Sequence, residues 1–332
     1  MLTEPLHFAP YLKSVIWGGE RIAPYKGIET DLQSIGESWE LSAVPGHVSV
    51  VDRGPLKGKT LTELIDEYGA DLVGKPNFEK YGNKFPLLVK IIDAKADLSV
   101  QVHPDDELAQ KRHNCPGKTE MWYIIDTAPG AKIYAGLKEK ITPDEYEKRV
   151  ADNTIMDVID SYDSAAGDTF FLPAGRIHAI GAGNLLAEIQ QTSDITYRIY
   201  DYDRRDKDGN PRELHTEQAR DAIDYTVYPT YKSEPKDDDL VNCKYFDVHR
   251  LELTEDAQPI CQDRDSFTIV MCLKGNAEIY PQVIGDVIPG ISMFSPESAA
   301  PILMRQGETL LFPATMHHLT ASGNGTLLTV QS

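Results

Sequence analysis

The chain has 332 residues, and its 33 basic and 52 acidic side chains give a formal net charge of −19. A protein this acidic repels phosphate on average, which argues against nucleic acid or an anionic membrane as a general ligand. A small phosphorylated molecule could bind only in a locally basic pocket. Hydrophobic residues make up 41% of the chain, as is typical of globular proteins, and the length is enough for about two domains.

The cysteines and the N-terminal segment indicate the cellular compartment. The four cysteines are scattered and form no C-x-x-C pair, which favours a reduced cytosolic protein over a disulfide scaffold. The N-terminal segment lacks the basic and apolar regions of a signal peptide. No apolar run approaches the roughly 20 residues that a membrane-spanning helix needs. We therefore expect a cytoplasmic protein with no membrane partner.

In chain order, most of the sequence alternates short apolar runs with Gly, Pro, Asp and Asn turns, which predicts short β-strands. The predicted strands cover residues 39–44, 47–52, 85–94, 98–103, 121–126 and 132–135. Apolar spacing and helix-start signals predict helices over residues 60–73, 142–150, 154–162 and 213–225. Thr60 and Glu63 have the spacing of a capping box, and Pro143 occupies a first helical position. The chain is therefore predicted to be mainly β with a few short helices.

Two segments of the chain repeat one pattern. Residues 167–178 and 307–318 each run Gly, an acid, Thr, three apolar residues, Pro-Ala and then a histidine at the same spacing. The pattern predicts a turn, a buried strand and a proline-terminated bend that presents the histidine. It resembles the second motif of the cupin fold, a double-stranded β-helix of the jelly-roll type. We therefore expect two cupin-type jelly-roll barrels.

Four residues in the first half form a candidate metal site. Alternate residues of a β-strand point to the same side, so Gln101 and His103 present an amide oxygen and an imidazole nitrogen to one cavity. Glu120 begins the next strand, and His178 ends the first copy of the repeat. Two imidazoles with carboxylate and amide oxygens suit Zn²⁺, although Mn²⁺, Co²⁺ or Fe²⁺ are chemically possible. The set predicts a Lewis-acidic metal centre.

Each of these residues also has a purely structural interpretation. His103 could be a strand-end histidine bonded to a carboxylate, and Gln101 could be a hydrogen-bonded core amide. Glu120 could lie at a solvated strand end, and His178 could cap a loop. We favour the metal interpretation because strand alternation and the repeat independently place all four residues at one end of the same barrel.

The second copy of the repeat lacks this set. No Q-x-H pattern precedes its strand, and Ser266 stands in the position of Glu120. His317 and His318 are therefore left without the other ligands. We predict one zinc ion per chain and no second catalytic metal at this histidine pair.

An acidic, proline-containing segment at residues 233–239 has the composition of a solvated linker. It is the predicted boundary between two domains. Residues 1–232 would form an N-terminal cupin domain that has helical segments and carries the metal site. Residues 240–332 would form a degenerate C-terminal cupin domain.

Six motifs stand at residues 36–42 (GESWELS), 85–94 (FPLLVKIIDA), 98–106 (LSVQVHPDD), 117–122 (GKTEMW), 171–178 (FLPAGRIH) and 193–198 (SDITYR). Together they resemble the type I mannose-6-phosphate isomerase family of cupin enzymes, in its compact bacterial form. The resemblance covers residues 5–225 and continues more weakly to the C-terminus. It implies a zinc-dependent enzyme that interconverts mannose 6-phosphate and fructose 6-phosphate, with a small phosphorylated sugar as its partner.

The resemblance also assigns roles to individual residues. The four candidate metal ligands match the zinc ligands of the family. Lys118, two residues before Glu120, and Arg198, after the Ser-Asp motif, match catalytic residues of the family. Three further residues are candidates for substrate binding: Trp17, Lys90 and Glu40.

The implied reaction moves a proton between C1 and C2 of the sugar through a cis-enediol(ate), whose developing oxygen charge must be stabilised. The metal, Arg198 and Lys118 could each contribute. The general base stays open among Lys118, Glu40, Asp194 and a water molecule activated by the metal. Two other classes are also considered, a metal-dependent cupin oxygenase and a non-catalytic sugar-binding cupin. The glutamine ligand together with Lys118 favours the isomerase.

Overall fold

The computed structural model describes residues 2–205, 208–260, 264–281, 300–316 and 318–332. Antiparallel strands dominate the chain. In chain order they are β1 (Leu6–His7), β2 (Tyr11–Gly19), β3 (Ile35–Leu41), β4 (Leu87–Asp93), β5 (Val100–Val102), β6 (Glu120–Thr127), β7 (Lys132–Leu137), β8 (Ile159–Asp163), β9 (Thr169–Leu172), β10 (His178–Ile180), β11 (Asn184–Gln191), β12 (Tyr197–Tyr200), β13 (Asp239–Asn242), β14 (Asp247–Glu252), β15 (Gln258–Pro259), β16 (Thr268–Pro281), β17 (Ile302–Arg305), β18 (Thr309–Phe312) and β19 (Leu319–Gln331).

The helices are short. They are α1 (Ile22–Lys26), α2 (Leu61–Tyr68), α3 (Ala70–Val73), α4 (Lys75–Tyr81), α5 (Asp106–His113), α6 (Pro143–Ala151) and α7 (Thr216–Ala222), with one 3-10 turn at Ile155–Val158. Within the described ranges, no helix has both the length and the apolar character needed to cross a membrane.

The strands of the described residues form three sheets. The six-stranded sheet has the order β2-β3-β4-β11-β6-β9, and the five-stranded sheet has the order β12-β5-β10-β7-β8. The eight-stranded sheet has the order β1-β18-β16-β19-β14-β13, with β15 beside β19 and β17 beside β16. None of these sheets closes on itself through hydrogen bonds between the described strands. The prediction of a mainly β protein with short helices is confirmed.

The sheets stack in layers around separate apolar cores. One core packs Ile92 and Trp122 of the six-stranded sheet against Ile133 and Ile180 of the five-stranded sheet. A second core joins the opposite face of the six-stranded sheet to the eight-stranded sheet. Because the six-stranded sheet is covered on both faces, its central strands β4 and β11 are buried along their whole length. Trp122 of the first core has its ring edge-on to that of His178, so this core borders the candidate metal site.

The helix predictions are partly correct. The prediction over residues 142–150 is confirmed by α6, and α7 is a shorter form of the one over residues 213–225. The helix predicted over residues 60–73 is interrupted at Gly69, where φ is +49°, and forms α2 and α3. The helix over residues 154–162 is wrong in its second half, because that segment is β8 and pairs with β7.

The strand predictions also have one clear error. Residues 47–52 form only isolated bridges, between Val50 and Thr60 and between Val51 and Phe8. Helices α1, α4 and α5 were not predicted. For α5 a signal was present, because the Asp105 side chain accepts a hydrogen bond from the Leu108 backbone N–H at 2.8 Å and so caps the helix.

The two copies of the repeat fold alike where both are described. Each places a four-residue strand directly after its glycine turn, β9 in the first copy and β18 in the second. β10 begins at His178, and β19 begins one residue after His318. His317 lies outside the described residues. β1 pairs with β18, so the first strand of the chain joins the sheet formed by the second half.

The capping box of α2 gives a stability prediction. The Thr60 hydroxyl accepts a hydrogen bond from the Glu63 N–H at 3.2 Å, and the Glu63 carboxylate accepts one from the Thr60 N–H at 2.8 Å. Thr60→Ala should lower the free energy of unfolding by about 1 kcal/mol, measured by urea denaturation. Lys57→Ala, which truncates an exposed side chain ahead of the helix, is the control and should change it by less than about 0.5 kcal/mol. Equal losses in both variants would contradict the role of the cap.

Candidate active site

The candidate site lies between the five-stranded and six-stranded sheets. Gln101 on β5 is the register partner of both His178 on β10 and Arg198 on β12. Residues directly opposite one another in neighbouring strands point to the same side, so these three share one face of the five-stranded sheet. His103 follows β5 directly, and Glu120 begins β6 on the facing sheet. The two sheets therefore bring the four predicted metal ligands to one space.

Three of the ligands form a compact buried cluster. Glu120 Oε1 lies 3.3 Å from His178 Nε2, and Glu120 Oε2 lies 3.5 Å from His103 Nε2. All ligand atoms of this cluster lie within 4.8 Å of one another. Among the described histidines, cysteines and acids, no other group has this arrangement. The three residues could therefore hold a metal ion.

Each histidine is oriented by a backbone carbonyl. His103 Nδ1 lies 2.8 Å from the Ile195 carbonyl oxygen, and His178 Nδ1 lies 2.9 Å from that of Arg176. A proton on Nδ1 satisfies these carbonyls and leaves the lone pair of each Nε2 facing Glu120. Histidine ligands of metals are commonly held in this way.

The inward-facing atoms fit a cation. His103 Nε2, His178 Nε2 and Glu120 Oε1 are buried and have no hydrogen-bond partner among the described residues, and the contact of the buried Glu120 Oε2 is the Lys118 ammonium at 3.0 Å. Buried polar atoms without partners are costly, and a divalent ion would satisfy all three at once. Burial holds the pKa of His103 well below its usual range and lowers that of His178 to about 3, so both imidazoles stay neutral. Neutral imidazole is the form that binds metal.

Lys118 is part of the same cluster. Its side chain is 7% exposed, and Nζ lies 3.0 Å from Glu120 Oε2. Burial raises the pKa of Glu120 to about 7, while the Lys118 ammonium acts to lower it. A fixed positive charge therefore lies directly beside the candidate metal ligands.

Arg198 lies at the edge of the site. Its Nε donates a hydrogen bond to Ser99 Oγ at 3.3 Å, and its Nη1 donates one to the Glu213 carbonyl at 3.0 Å. Burial and the neighbouring charges of Arg212 and Arg204 lower the pKa of Arg198. The guanidinium plane is thus held on the face that carries Gln101 and His178.

The other sequence candidates are placed differently. Lys90 lies on β4 and is buried beside the cluster. Burial acts to lower its pKa, but the charges of Glu188 and Glu37, and to a smaller extent that of Glu120, raise it above the usual range. Trp17 packs in the core that also contains Trp122, whose ring lies edge-on to that of His178 at 5.3 Å. Asp194 is exposed.

Glu40 is not brought to the cluster. It is buried against Lys26, with 2.7 Å between its Oε2 and Lys26 Nζ, and it accepts a hydrogen bond from Ser38 Oγ at 2.6 Å. By strand alternation it lies on the opposite side of β3 from Trp39, the register partner of Lys90. Its carboxylate is therefore engaged away from the histidines.

Sequence reasoning named Lys90 but missed the two buried carboxylates that surround it, those of Glu188 and Glu37. Lys90 Nζ lies 2.7 Å from Glu188 Oε1 and 3.7 Å from Glu37 Oε2. Trp122 Nε1 donates a hydrogen bond to Glu188 Oε2 at 2.9 Å. Charged residues in the middle of long apolar strands are the signal that could have revealed these carboxylates, because such charges are rarely buried unless paired.

The pairing of Lys90 with Glu188 leads to a stability prediction. Glu188→Gln should lower the free energy of unfolding by about 3 kcal/mol, because it leaves a buried ammonium without its nearest counter-charge. Lys90→Met in the same chain should restore part of that loss, since it removes the unpaired ammonium but leaves the buried Glu37 carboxylate with Lys13 as its remaining ion-pair partner. Urea denaturation of the single and double variants measures the effect. A double variant no more stable than Glu188→Gln would show that the ion pair is not the cause.

Comparisons with known proteins identify the family of the chain. Residues 6–133 match the family described as phosphomannose isomerase type I, catalytic domain. Mannose-6-phosphate isomerase ManA of Bacillus subtilis is 38% identical over 300 residues, which cover 86% of this chain and 92% of that protein. Mannose-6-phosphate isomerase of Streptococcus mutans is 33% identical over 327 residues, covering 95% and 94% of the two chains.

A solved structure gives the same result for the whole chain. The crystal structure of a mannose 6-phosphate isomerase from Bacillus subtilis is 31% identical, covers 99% of both chains and superimposes with a TM-score of 0.82. A structure named a putative mannosephosphate isomerase, from Archaeoglobus fulgidus, shares the fold with a TM-score of 0.78 at 22% identity. The cluster, the matched catalytic domain and the full-length relatives lead to one conclusion: this chain is an enzyme of the type I mannose-6-phosphate isomerase family.

Proposed function

We propose that this protein is a zinc-dependent aldose–ketose isomerase that interconverts mannose 6-phosphate and fructose 6-phosphate through a cis-enediol(ate). The observation that carries the proposal is the buried cluster of His103, Glu120 and His178 with Lys118 at its side, in a chain of this family. Gln101, on the face shared with His178, would be the fourth ligand.

The donor set supports zinc. Two neutral imidazoles, one carboxylate and one amide oxygen make a mixed nitrogen and oxygen site of the kind that Zn²⁺ accepts. When bound, such an ion supplies Lewis-acid stabilisation to the oxygens of the substrate. The backbone carbonyls that hold the two Nδ1 atoms would keep the imidazoles oriented during turnover.

Two cations of the chain would act on the substrate. Lys118, buried beside Glu120, would donate a hydrogen bond to an oxygen on which the enediolate charge develops. Arg198, at the edge of the site, would also donate hydrogen bonds to such an oxygen through its planar guanidinium group. Both donors are fixed before substrate binds, which is the condition under which electrostatic stabilisation is most effective.

The charge near Arg198 suits an anionic sugar. Arg204 and Arg212 both pair with Asp201, and all three residues lie within electrostatic range of Arg198. The guanidinium groups of Arg198, Arg204 and Arg212 outnumber the carboxylates of Asp201 and Glu213, so this edge is locally positive in a protein whose net charge is −19. Such a basic patch would attract a phosphate dianion against the field of the whole chain.

We also propose that the chain consists of two cupin-type domains. The facing six-stranded and five-stranded sheets would be the two halves of one cupin-type jelly roll in the domain of residues 1–232, and residues 240–332 would form the second. The exposed residues 234–239 and the matching strands β9 and β18 support this division. Free Cys115, Cys243 and Cys272 support the cytoplasmic location that we infer.

The direct test is to incubate the purified, zinc-loaded protein with mannose 6-phosphate and to measure fructose 6-phosphate. Unphosphorylated mannose serves as the control substrate and should react much more slowly, because it lacks the group that the basic edge would bind. A zinc-loaded protein that forms no fructose 6-phosphate would overturn the proposal. Oxygen consumption with an iron-loaded protein would instead favour the oxygenase.

A further inference from the structure

The backbone that carries Lys118 is held at three successive residues. The Gly117 N–H donates to an Asp106 carboxylate oxygen at 3.1 Å, and the Lys118 N–H donates to the Pro104 carbonyl at 3.1 Å. The Thr119 N–H donates to Gln191 Oε1 at 2.9 Å. We refer to residues 117–119 as the lysine loop.

Asp106 connects these contacts. The oxygen that binds the Gly117 N–H also accepts a hydrogen bond from Gln191 Nε2 at 2.9 Å, so one carboxylate oxygen fixes both ends of the lysine loop. Gly117 fits there only without a side chain, because an added Cβ would lie 2.5 Å from the Asp106 backbone nitrogen. A shift of Asp106 would therefore be transmitted to the loop.

The second Asp106 oxygen is bound from the other half of the chain. Tyr245, between β13 and β14, donates its hydroxyl to Asp106 Oδ2 at 2.7 Å, and Lys244 Nζ lies 3.3 Å from the same atom. The backbone of Tyr245 is itself held, since its carbonyl accepts a hydrogen bond from Ser332 Oγ at 2.9 Å. Lys244 is largely exposed, so the tyrosine hydroxyl is the better-ordered of the two contacts.

We propose that Tyr245 is a positioning residue for Lys118, acting through Asp106 and the lysine loop. The C-terminal half thereby contributes to catalysis by fixing the place of a cation in the N-terminal half. This inference rests on the proposed role of Lys118. It gives the second half of the chain a function that does not require a metal of its own.

Tyr245→Phe removes only the hydroxyl and should reduce kcat/KM by about fivefold, mainly through kcat, because the ammonium would be displaced by a fraction of an ångström. Metal content should stay at the wild-type level. Tyr25→Phe is the matched control, since the Tyr25 hydroxyl also joins the two halves, at 2.8 Å to the Leu273 carbonyl, but does not contact the lysine loop. It should keep wild-type kinetics.

The decisive experiment is a double-mutant cycle with Lys118→Ala. If Tyr245 acts through Lys118, Tyr245→Phe should cost about fivefold in the wild-type background and less than about twofold in Lys118→Ala. An equal loss in both backgrounds, or no loss in the wild-type background, would overturn the proposal. Wild-type activity in Lys118→Ala would instead refute the role proposed for Lys118 itself.

Hydrogen exchange gives a readout that does not depend on activity. Amide exchange in a peptide spanning residues 115–119 should become faster in Tyr245→Phe and stay unchanged in Tyr25→Phe. This measurement tests whether Tyr245 holds the lysine loop even if Lys118→Ala has no detectable turnover. Unchanged exchange of that peptide in Tyr245→Phe would show that the tyrosine does not hold the loop.

Discussion

A chelator should abolish isomerase activity, by roughly 10³-fold or more, and added zinc should restore it. The physical reason is the set of inward-facing buried atoms on His103, Glu120 and His178, of which both Nε2 atoms and Glu120 Oε1 have no hydrogen-bond partner among the described residues. The Glu120 carboxylate lies 3.3–3.5 Å from the two Nε2 atoms, so a divalent ion between them would be bound by all three residues and could polarise the oxygens of the substrate. Full activity in exhaustively metal-free protein would contradict this prediction.

Single substitutions should show how much each proposed ligand contributes to metal affinity. His103→Ala should lose more metal than Gln101→Ala, because neutral imidazole binds zinc better than an amide oxygen does. His113→Ala is the control, since this histidine lies on α5 and bonds to the Tyr197 hydroxyl instead. Metal content measured by mass spectrometry after dialysis tests the order. Equal retention of metal in the His103 and Gln101 variants would count against it.

The same measurement tests the number of metal sites. We expect about one ion per chain, because the second copy of the repeat has no Q-x-H pattern and no counterpart of Glu120. Two ions per chain, with one lost on replacing His317 and His318, would show that the second half also binds metal.

The proximity of His103, Glu120 and His178 could be expected from the sequence because it depends in part on local rules. Strand alternation puts Gln101 and His103 on one side, and the repeat marks His178 as a residue at the end of a bend. What strand alternation cannot give is the pairing of strands. β5 pairs with both β10 and β12, and this pairing aligns Gln101 with His178 and Arg198. The order of strands in a sheet depends on contacts between distant segments, so no single segment of the sequence predicts it.

The misses have physical causes of the same kind. Glu40 lies within the GESWELS motif, but the motif alone does not determine which face of the sheet its side chain occupies. In the structure its carboxylate pairs with Lys26, away from the candidate site. The helix predicted through residue 162 fails because β7 offers a strand partner to residues with acceptable helical spacing. Glu188 was overlooked because its partner Lys90 is 98 residues away.

Arg198→Ala should lower kcat by on the order of 10²-fold or more while metal content stays at the wild-type level. Ser99 and the Glu213 backbone already hold the guanidinium by Nε and Nη1, so the fork is fixed before substrate arrives. A planar donor that is always charged suits an oxyanion flanked by hydroxyl groups. If Arg198 mainly held the phosphate, its loss would raise KM and leave kcat largely intact.

Lys118→Ala should lower kcat and raise KM, because the ammonium lies beside the candidate metal ligands and close to any sugar oxygen bound there. The matched control for both variants is Arg220→Ala, which removes a guanidinium paired with Asp144 on the surface and should leave both constants unchanged. Steady-state kinetics with metal analysis on the same samples separates the cases. An Arg198→Ala enzyme with near-normal kcat and full metal content would show that other groups stabilise the oxyanion. Arg198 would then bind the phosphate of the substrate instead.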